Sequence, residues 1–228
     1  MKKLLLYIII VILIVLSSCS TLSDVPKSTA YKSIYDNKPL TILLMPPINR
    51  STNVEAKEYF HSTLNSPLAN SGYYVIPPFL SMEILKQESA YDSELFLNSE
   101  LTKFRKVFGA DMALFTIIHR WDKSSLAAKV HVKVEYIIKS TKTNDIIYTR
   151  KGDVTYDTSV NTNTGGLLGA VVDATASAIN TAATKYVDVA RACNTYTLQD
   201  LPAGKYSPDF GMDGEEMSGK KEFRVTLK

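Results

Sequence analysis

The first twenty residues, MKKLLLYIIIVILIVLSSCS, constrain this chain more than any other stretch, because they separate a part that meets lipid from a part that folds in water. Lys2 and Lys3 form a positive head. Leu4 to Leu16 make an uninterrupted apolar run of about 13 residues, within the roughly 7–15 typical of an export signal. As a helix rising ~1.5 Å per residue, the run covers about 20 Å, well short of the ~30 Å hydrocarbon core that a permanent span must cross. It is therefore read as a signal and not as a transmembrane helix.

Leu16-Ser17-Ser18-Cys19 closes the run. This resembles the lipobox of bacterial lipoproteins, in which a branched apolar residue and two small ones precede a cysteine, small because a peptidase must approach that backbone closely. The resemblance implies cleavage of residues 1–18 and a diacylglyceryl group on the Cys19 thiol. The alternative is an ordinary signal peptide or anchor with an incidental cysteine. Two or more acyl chains, at about 0.8 kcal/mol per buried methylene, hold a protein on a bilayer where one chain does not. Ser20 stands where an aspartate favours inner-membrane retention in the resembling lipoproteins, so the expected address is the periplasmic face of the outer membrane. Cleavage removes two of the 26 basic residues and none of the 23 acidic ones, lowering the net charge from +3 to +1. A near-neutral mature chain gives no electrostatic case for nucleic acid as a partner. With Cys19 lipidated, Cys193 has no disulfide partner.

About 210 mature residues suffice for one sizeable core. Residues 19–38 read as the lipidated cysteine and a flexible tether, polar apart from its tyrosines. Residues 39–211 read as the periplasmic domain and 212–228 as a polar C-terminal extension with no assigned role. Leu40 to Met45 is a continuous apolar run stopped by Pro46-Pro47, as expected of a strand buried on both faces. Val54, Phe60, Leu64 and Leu68 recur at helical spacing, with Thr52 or Asn53 as cap, Pro67 as kink or restart and Gly72 as stop. Tyr73 to Ile76 is a second strand, stopped by Pro77-Pro78. Phe79 to Gln87 follows as a short helix, then a helical pattern from Asp92 that breaks near Asn98 and Ser99 and carries Leu95, Leu101, Phe104, Val107 and Phe108. Ala113 to Trp121 is a third strand, and right-handed crossovers make this start parallel.

The pattern then alternates. Ala127 to Lys139 places Val130, Val132, Val134 and Tyr136 on one face and Lys129, His131, Lys133 and Glu135 on the other, and Ile146 to Thr158 continues the meander. Ser159 to Gly166 reads as a flexible loop. Leu167 to Cys193 reads as one long two-faced helix, apolar along Val171, Thr175, Ile179 and Val189, polar along Asp173, Ser177 and Asp188. The expected fold class is α/β: a three-layer-like mixed sheet with a parallel βαβαβ start, an antiparallel meander and a long C-terminal helix.

Three segments, MPPINRSTNVEAKEYFHSTLNSPLANSGYYVIPP, KVFGADMALFTIIHRW and LPAGKYSPDFG, together resemble a family of outer-membrane lipoproteins of unknown function. Their periplasmic domain is similar to the amino-terminal domain of TolB. The resemblance covers most of the mature domain and implies a role in envelope assembly, secretion or transport, with a curli-channel-like lipoprotein among the candidate partners. A comparable fold in lipoprotein activators of peptidoglycan synthases supplies an alternative role. The family carries no established reaction.

Asn49, Arg50 and Ser51 fall just past the carboxyl end of the first strand, where open α/β sheets bind ligands, although Pro-Pro-x-Asn is also ordinary turn chemistry. These three are the candidate ligand loop, for a small-ligand binder or a hydrolase. His61, His119 and His131 lack the short spacing of a zinc site, so no metal is expected, and no cofactor motif is present. Cys193 sits on an apolar stripe and reads as an inert buried thiol. His119, Arg120, Trp121 and Asp122 end a strand as a polar cluster or as solvated ion pairs. The leading reading is a non-catalytic, membrane-anchored protein that binds other envelope proteins and self-associates through the Leu167 to Cys193 helix.

Overall fold

The computed structural model describes residues 25–124, 126–160, 170, 173–178 and 185–228. The signal segment, Cys19, Ser20 and most of the glycine loop lie outside the described residues. The apolar run after Lys38 becomes strand β1 (Thr41–Leu44). Pro46 and Pro47 have no N–H to donate, so the ladder stops there. It resumes as β2 (Ile48–Asn49) on the same neighbour. Two helices, α3 (Ala56–Thr63) and α4 (Asn65–Asn70), lead to β3 (Tyr74–Val75), which pairs parallel with β1 at Ile42↔Val75. A second crossover, α5 (Pro78–Gln87), a 3-10 turn at Ser93–Phe96 and α6 (Thr102–Phe108), delivers β4 (Met112–Ser124) to the other side of β1, again parallel, at Leu44↔Leu114. The break near Asn98 and Ser99 falls between the 3-10 turn and α6, as expected.

From β4 the chain turns back on itself. Strands β5 (Lys129–Ser140) and β6 (Ile146–Asp157) complete an antiparallel meander, and with β7 (Glu222–Leu227) the sheet has seven strands among the described residues, in the order β3-β1-β4-β5-β6-β7, with β2 on β4. This is the mixed sheet read from the sequence. One face packs Ile42, Leu44, Val130, Val132, Val134 and Tyr136 against Phe60, Leu64 and Leu68 of α3 and α4 and against Val189 and Cys193. The other face carries Leu43, Met45, Ala113 and Phe115 under Leu85, Leu101 and Phe104 of α5 and α6. Beyond that second layer the outward residues of β5, Lys129, His131, Lys133 and Glu135, remain half-exposed.

The structure corrects three expectations. The tether is the first. Lys27–Ala30 (α1) and Lys32–Asn37 (α2) are helical, with Tyr31 and Ile34 buried. Tyrosine is the reason: its ring enters the core against Tyr148, centroids 5.3 Å apart, while its hydroxyl keeps a polar partner, so a polar-looking segment still docks. The second concerns the helix from Leu167 to Cys193. Lys185 is extended, and the helix that packs, α7 (Tyr186–Leu198), starts after it and runs past Cys193. Residues 173–178 are helical, but Ser177 is buried and Thr175 exposed, the reverse of the expected faces. Ser177 Oγ accepts from Val160 N–H at 2.8 Å, which makes that burial tolerable. The expected stripe positions Val171 and Ile179 lie outside the described residues.

The third is the polar extension after Gly211. Asp213 is buried, and Glu222–Leu227 forms β7, parallel to β6 at Val154↔Val225. Gly152 on β6 leaves room for the Phe223 ring, which a Cβ there would meet at 2.6 Å. Among the helical residues of the 54–68 and 92–108 patterns, Phe60, Leu64, Leu68, Leu101 and Phe104 are buried as expected. Val54, Leu95 and Val107 face solvent, because Val54 lies in the turn before α3 and the break after Leu97 resets the helical phase.

Asn194, fully buried on α7, ties three elements together. Its Nδ2 donates to Phe60 O at 3.0 Å and Thr63 Oγ1 at 2.8 Å on α3, and its Oδ1 accepts from Tyr136 on β5. The LPAGKYSPDFG segment meets the turn at Gly72, where Gly204 N–H donates to Ser71 O at 2.7 Å and Tyr206 N–H to Gly72 O at 3.0 Å. A Cβ on Gly204 would overlap the Gly72 carbonyl. Asn194→Leu leaves three polar groups without their partner and is expected to cost about 3 kcal/mol, measured by urea denaturation. Gly204→Ala is expected to cost roughly 1–3 kcal/mol by overpacking a backbone contact, read the same way.

Candidate functional site

The carboxyl ends of β1 and β2 open onto a cleft of about 360 Å³ between α3, α5 and the 3-10 turn, lined by Pro47, Asn49, Lys57, His61, Tyr91 and Ser93 among others. The candidate ligand loop borders it. Asn49 is committed to the loop at both ends of its amide: Nδ2 donates to Asn53 O at 2.7 Å, and Oδ1 accepts from Ser51 N–H at 3.0 Å and Ser51 Oγ at 2.7 Å. Asn53 Oδ1 in turn accepts from Glu55 N–H at 3.0 Å ahead of α3, close to the expected capping. Arg50 forms an exposed ion pair with Glu94. Asp92 caps the 3-10 turn, accepting from Glu94 N–H at 3.1 Å. Lys57 and Lys86 place their ammonium groups 5.8 and 5.9 Å from the centroid of the Tyr91 ring.

Ser93 and His61 both line this cleft, and Ser93 Oγ and His61 Nε2 are buried without a hydrogen-bond partner among the described residues. They make no nucleophile and base pair with one another. Burial lowers the imidazole of His61 from its ordinary value, and the Glu58 carboxylate opposes this in part. His119 bonds Glu135 at 2.8 Å on β5, with Lys151 3.9 Å from the same oxygen, and Arg120 pairs with Asp122 at the surface. Trp121 leaves that group for the core, edge-on to Phe60 at 5.6 Å. His131 Nδ1 meets Thr155 Oγ1 at 3.2 Å. The three histidines thus sit on α3, β4 and β5 with separate surroundings, and among the described residues no group of three His, Cys, Asp or Glu is placed to hold a metal. Cys193 is buried, and desolvation pushes its thiol up to about 12.

A second polar cluster went unread in the sequence. Tyr31 donates its hydroxyl to Asp200 Oδ2, and Gly219 N–H donates to Asp200 Oδ1 at 2.7 Å. Tyr35 donates to Asp213 Oδ1 at 3.0 Å, and Ala203 N–H to Asp213 Oδ2 at 2.8 Å. Lys27 pairs with Glu216 at 2.7 Å and lies 3.9 Å from Asp213. Arg150, buried on β6, donates to Thr197 O at 3.0 Å and Lys220 O at 3.2 Å, with its guanidinium 4.6 Å from the Phe223 ring centroid. Burial first, and then the bonds to their aspartates, raise both tyrosines well above the ordinary range, so they remain donors. The one signal for this cluster was the presence of Tyr31 and Tyr35 in an otherwise polar segment.

A family model described as Putative lipoprotein GNA1162-like matches residues 29–205. The match takes in Tyr31, Arg150 and Asp200 and ends before Asp213 and β7. A Neisseria meningitidis protein named Putative lipoprotein NMB1124/NMB1162 is 26% identical over 151 residues, 65% of this chain and 69% of its own length. The crystal structure of lipoprotein GNA1162 from Neisseria meningitidis is similar at a TM-score of 0.48 and 22% identity, covering 62% of this chain and 98% of that one. The PelC dodecamer from Paraburkholderia phytofirmans is similar at a TM-score of 0.41 and 12% identity, over 74% of this chain and 91% of that one.

His61 gives the cleft a measurable pH dependence. Because its folded form binds a proton less readily than its unfolded form, its neutral state is compatible with full stability above pH 6.5. Stability then declines as pH falls below that value towards the lower folded one. His61→Gln is expected to flatten the fall in the urea midpoint between about pH 7 and about pH 5. An unchanged slope would show that the imidazole is not held neutral.

Proposed function

The chain belongs to the GNA1162-like lipoprotein family, and on that premise we propose that a lipid on Cys19 holds it to the envelope membrane, where it binds other envelope proteins and performs no catalysis. Leu16-Ser17-Ser18-Cys19 supplies the modification site. Ser20 favours the outer membrane, with the TolB-like domain on the periplasmic face and a place in a secretion or transport assembly. Self-association belongs to the same reading.

The observation that carries it is the committed state of the strand-end cleft. Asn49 is engaged at both ends by its own loop, and Ser93 and His61 do not bond one another, so among the described residues of this strand-end cleft no acid, base and nucleophile are assembled. Partner binding through surface complementarity asks none of these. Activation of a cell-wall synthase across the periplasm needs reach, and the docking of Lys27–Asn37 onto the domain removes most of the expected tether.

The test is crosslinking in the intact envelope followed by identification of bound proteins, with intact mass of the extracted chain. The expected result is an acylated N-terminal cysteine and a discrete set of captured envelope proteins. Cys19→Ala is expected to abolish the acyl increment and release the chain from the membrane fraction, while Ser93→Ala and His61→Gln leave the captured proteins unchanged. A chain that keeps its leader and carries no acyl group would overturn the reading.

A further inference from the structure

The folded part begins close to the proposed anchor. Ser218 N–H donates to Val25 O at 2.9 Å, Lys27 N–H donates to Glu216 O at 2.8 Å, and Pro26 bridges Met217. Val25 is thereby fastened to the C-terminal segment, and Cys19 precedes it by six positions. Six residues at full stretch span about 20 Å, and a headgroup layer takes up about 5–8 Å of that. A domain held at Val25 and lipidated at Cys19 stays within about 12–15 Å of the headgroup surface. The surface around Val25 is the part nearest to it.

That surface carries apolar side chains left exposed among the described residues. Met217, the bridge partner of Pro26, is 60% exposed, and Met212 is 69% exposed beside Asp213, which bonds Tyr35 and lies near Lys27. Phe210, partly exposed, lines a small hollow with Tyr35 and Lys38. All three come from one eight-residue stretch wrapped around the emerging chain. Methionine and phenylalanine adapt readily to an irregular apolar boundary. Lys220 and Lys221, both exposed, follow Met217 and can reach phosphate while their stems cover apolar surface.

We propose that Phe210, Met212 and Met217 form a membrane-docking face, entering the boundary between headgroups and acyl chains of the same bilayer that holds Cys19. This deepens the anchoring reading and rests on it: the acyl chains give attachment, and the docking face gives orientation. A lipid anchor becomes firmer with a second interfacial contact. Ser218 pairs with Val25 just ahead of β7, which lies parallel to β6 from Lys151 onward, so the docking face sits towards the Ile146 end of the meander. Leu126, in the β4–β5 turn, lies at the opposite end of β5, about 40 Å away at ~3.4 Å per residue over its twelve residues. That end, with the open polar face of the sheet, is directed away from the lipid.

The experiment uses the full lipidated protein extracted from membranes, bearing an environment-sensitive fluorophore on Met212→Cys, Met217→Cys or Leu126→Cys. Cys193, buried in the core, is spared by the label. Each variant is reconstituted into phosphatidylethanolamine and phosphatidylglycerol vesicles with brominated acyl chains. Labels at 212 and 217 are expected to shift to the blue and lose about half or more of their emission, while the label at 126 stays as in water. Anchored protein whose 212 and 217 labels remain aqueous, or whose 126 label is quenched instead, would overturn docking and leave anchorage standing. A blue shift that needs no vesicles and grows with concentration would assign the face to a second copy of the chain, also overturning it. Failure to float with vesicles would remove anchorage and docking together, a result distinct from the other two.

Discussion

A hydrogen bond between Tyr31 and Asp200, 169 residues apart in the chain, determines how both ends of this protein are held. An aspartate this deeply buried would be costly if left alone. Here one carboxylate oxygen takes the tyrosine hydroxyl and the other a backbone N–H of Gly219. Those bonds join the segment after the signal, the end of α7 and the approach to β7. Asp213 repeats the arrangement with Tyr35 and Ala203, and Lys27 adds a charge beside it. Two short helices too small to be stable in isolation are thus ordered by tertiary contacts. The same contacts make Lys27–Asn37, an apparent tether in the sequence, part of the domain.

The sheet divides into a half buried on both faces and a half buried on one. Where β1 and β4 run parallel, Leu44 and Leu114 are buried towards one layer of helices and Leu43 and Ala113 towards the other. Across β4 to β7 the uncovered side is a lattice of opposite charges: Glu135 with His119 and Lys151, and Asp153 with Arg224 at 3.3 Å. Half-exposed pairs of this kind add little stability. They keep a wide sheet face soluble, and charged residues on β7 discourage edge-to-edge pairing with other chains.

The candidate site was legible only in part. A proline pair after an apolar run marks where a ladder is interrupted, yet it resumes at Ile48–Asn49, so Asn49 lies on β2 with Arg50 and Ser51 just after it. What the residues do there depended on neighbours supplied by the fold: Asn53 closing on Asn49, Glu94 reaching Arg50 from 44 residues away. His61 and Ser93 entered the same cleft from separate elements, a convergence with no local spacing to announce it. The polar cluster at Tyr31 and Asp200 was missed for the same reason, since each member looks like a surface residue within its own window.

The sequence by itself determined the βαβαβ start and the alternating meander, because hydrophobic period and proline punctuation are local properties that reach across a few residues. It did not determine the ends. A stripe reading stopped the last helix at Cys193, yet the next residue, Asn194, is buried with its amide satisfied by α3 and β5. It set aside residues 19–38 as a tether and 212–228 as a polar extension, yet tyrosine–carboxylate bonds and a parallel strand fold Lys27–Asn37 and Glu222–Leu227 onto the domain. Burial of a polar group is decided by whether a partner waits for it, and partners separated by more than a hundred residues are chosen only when the chain has closed on itself.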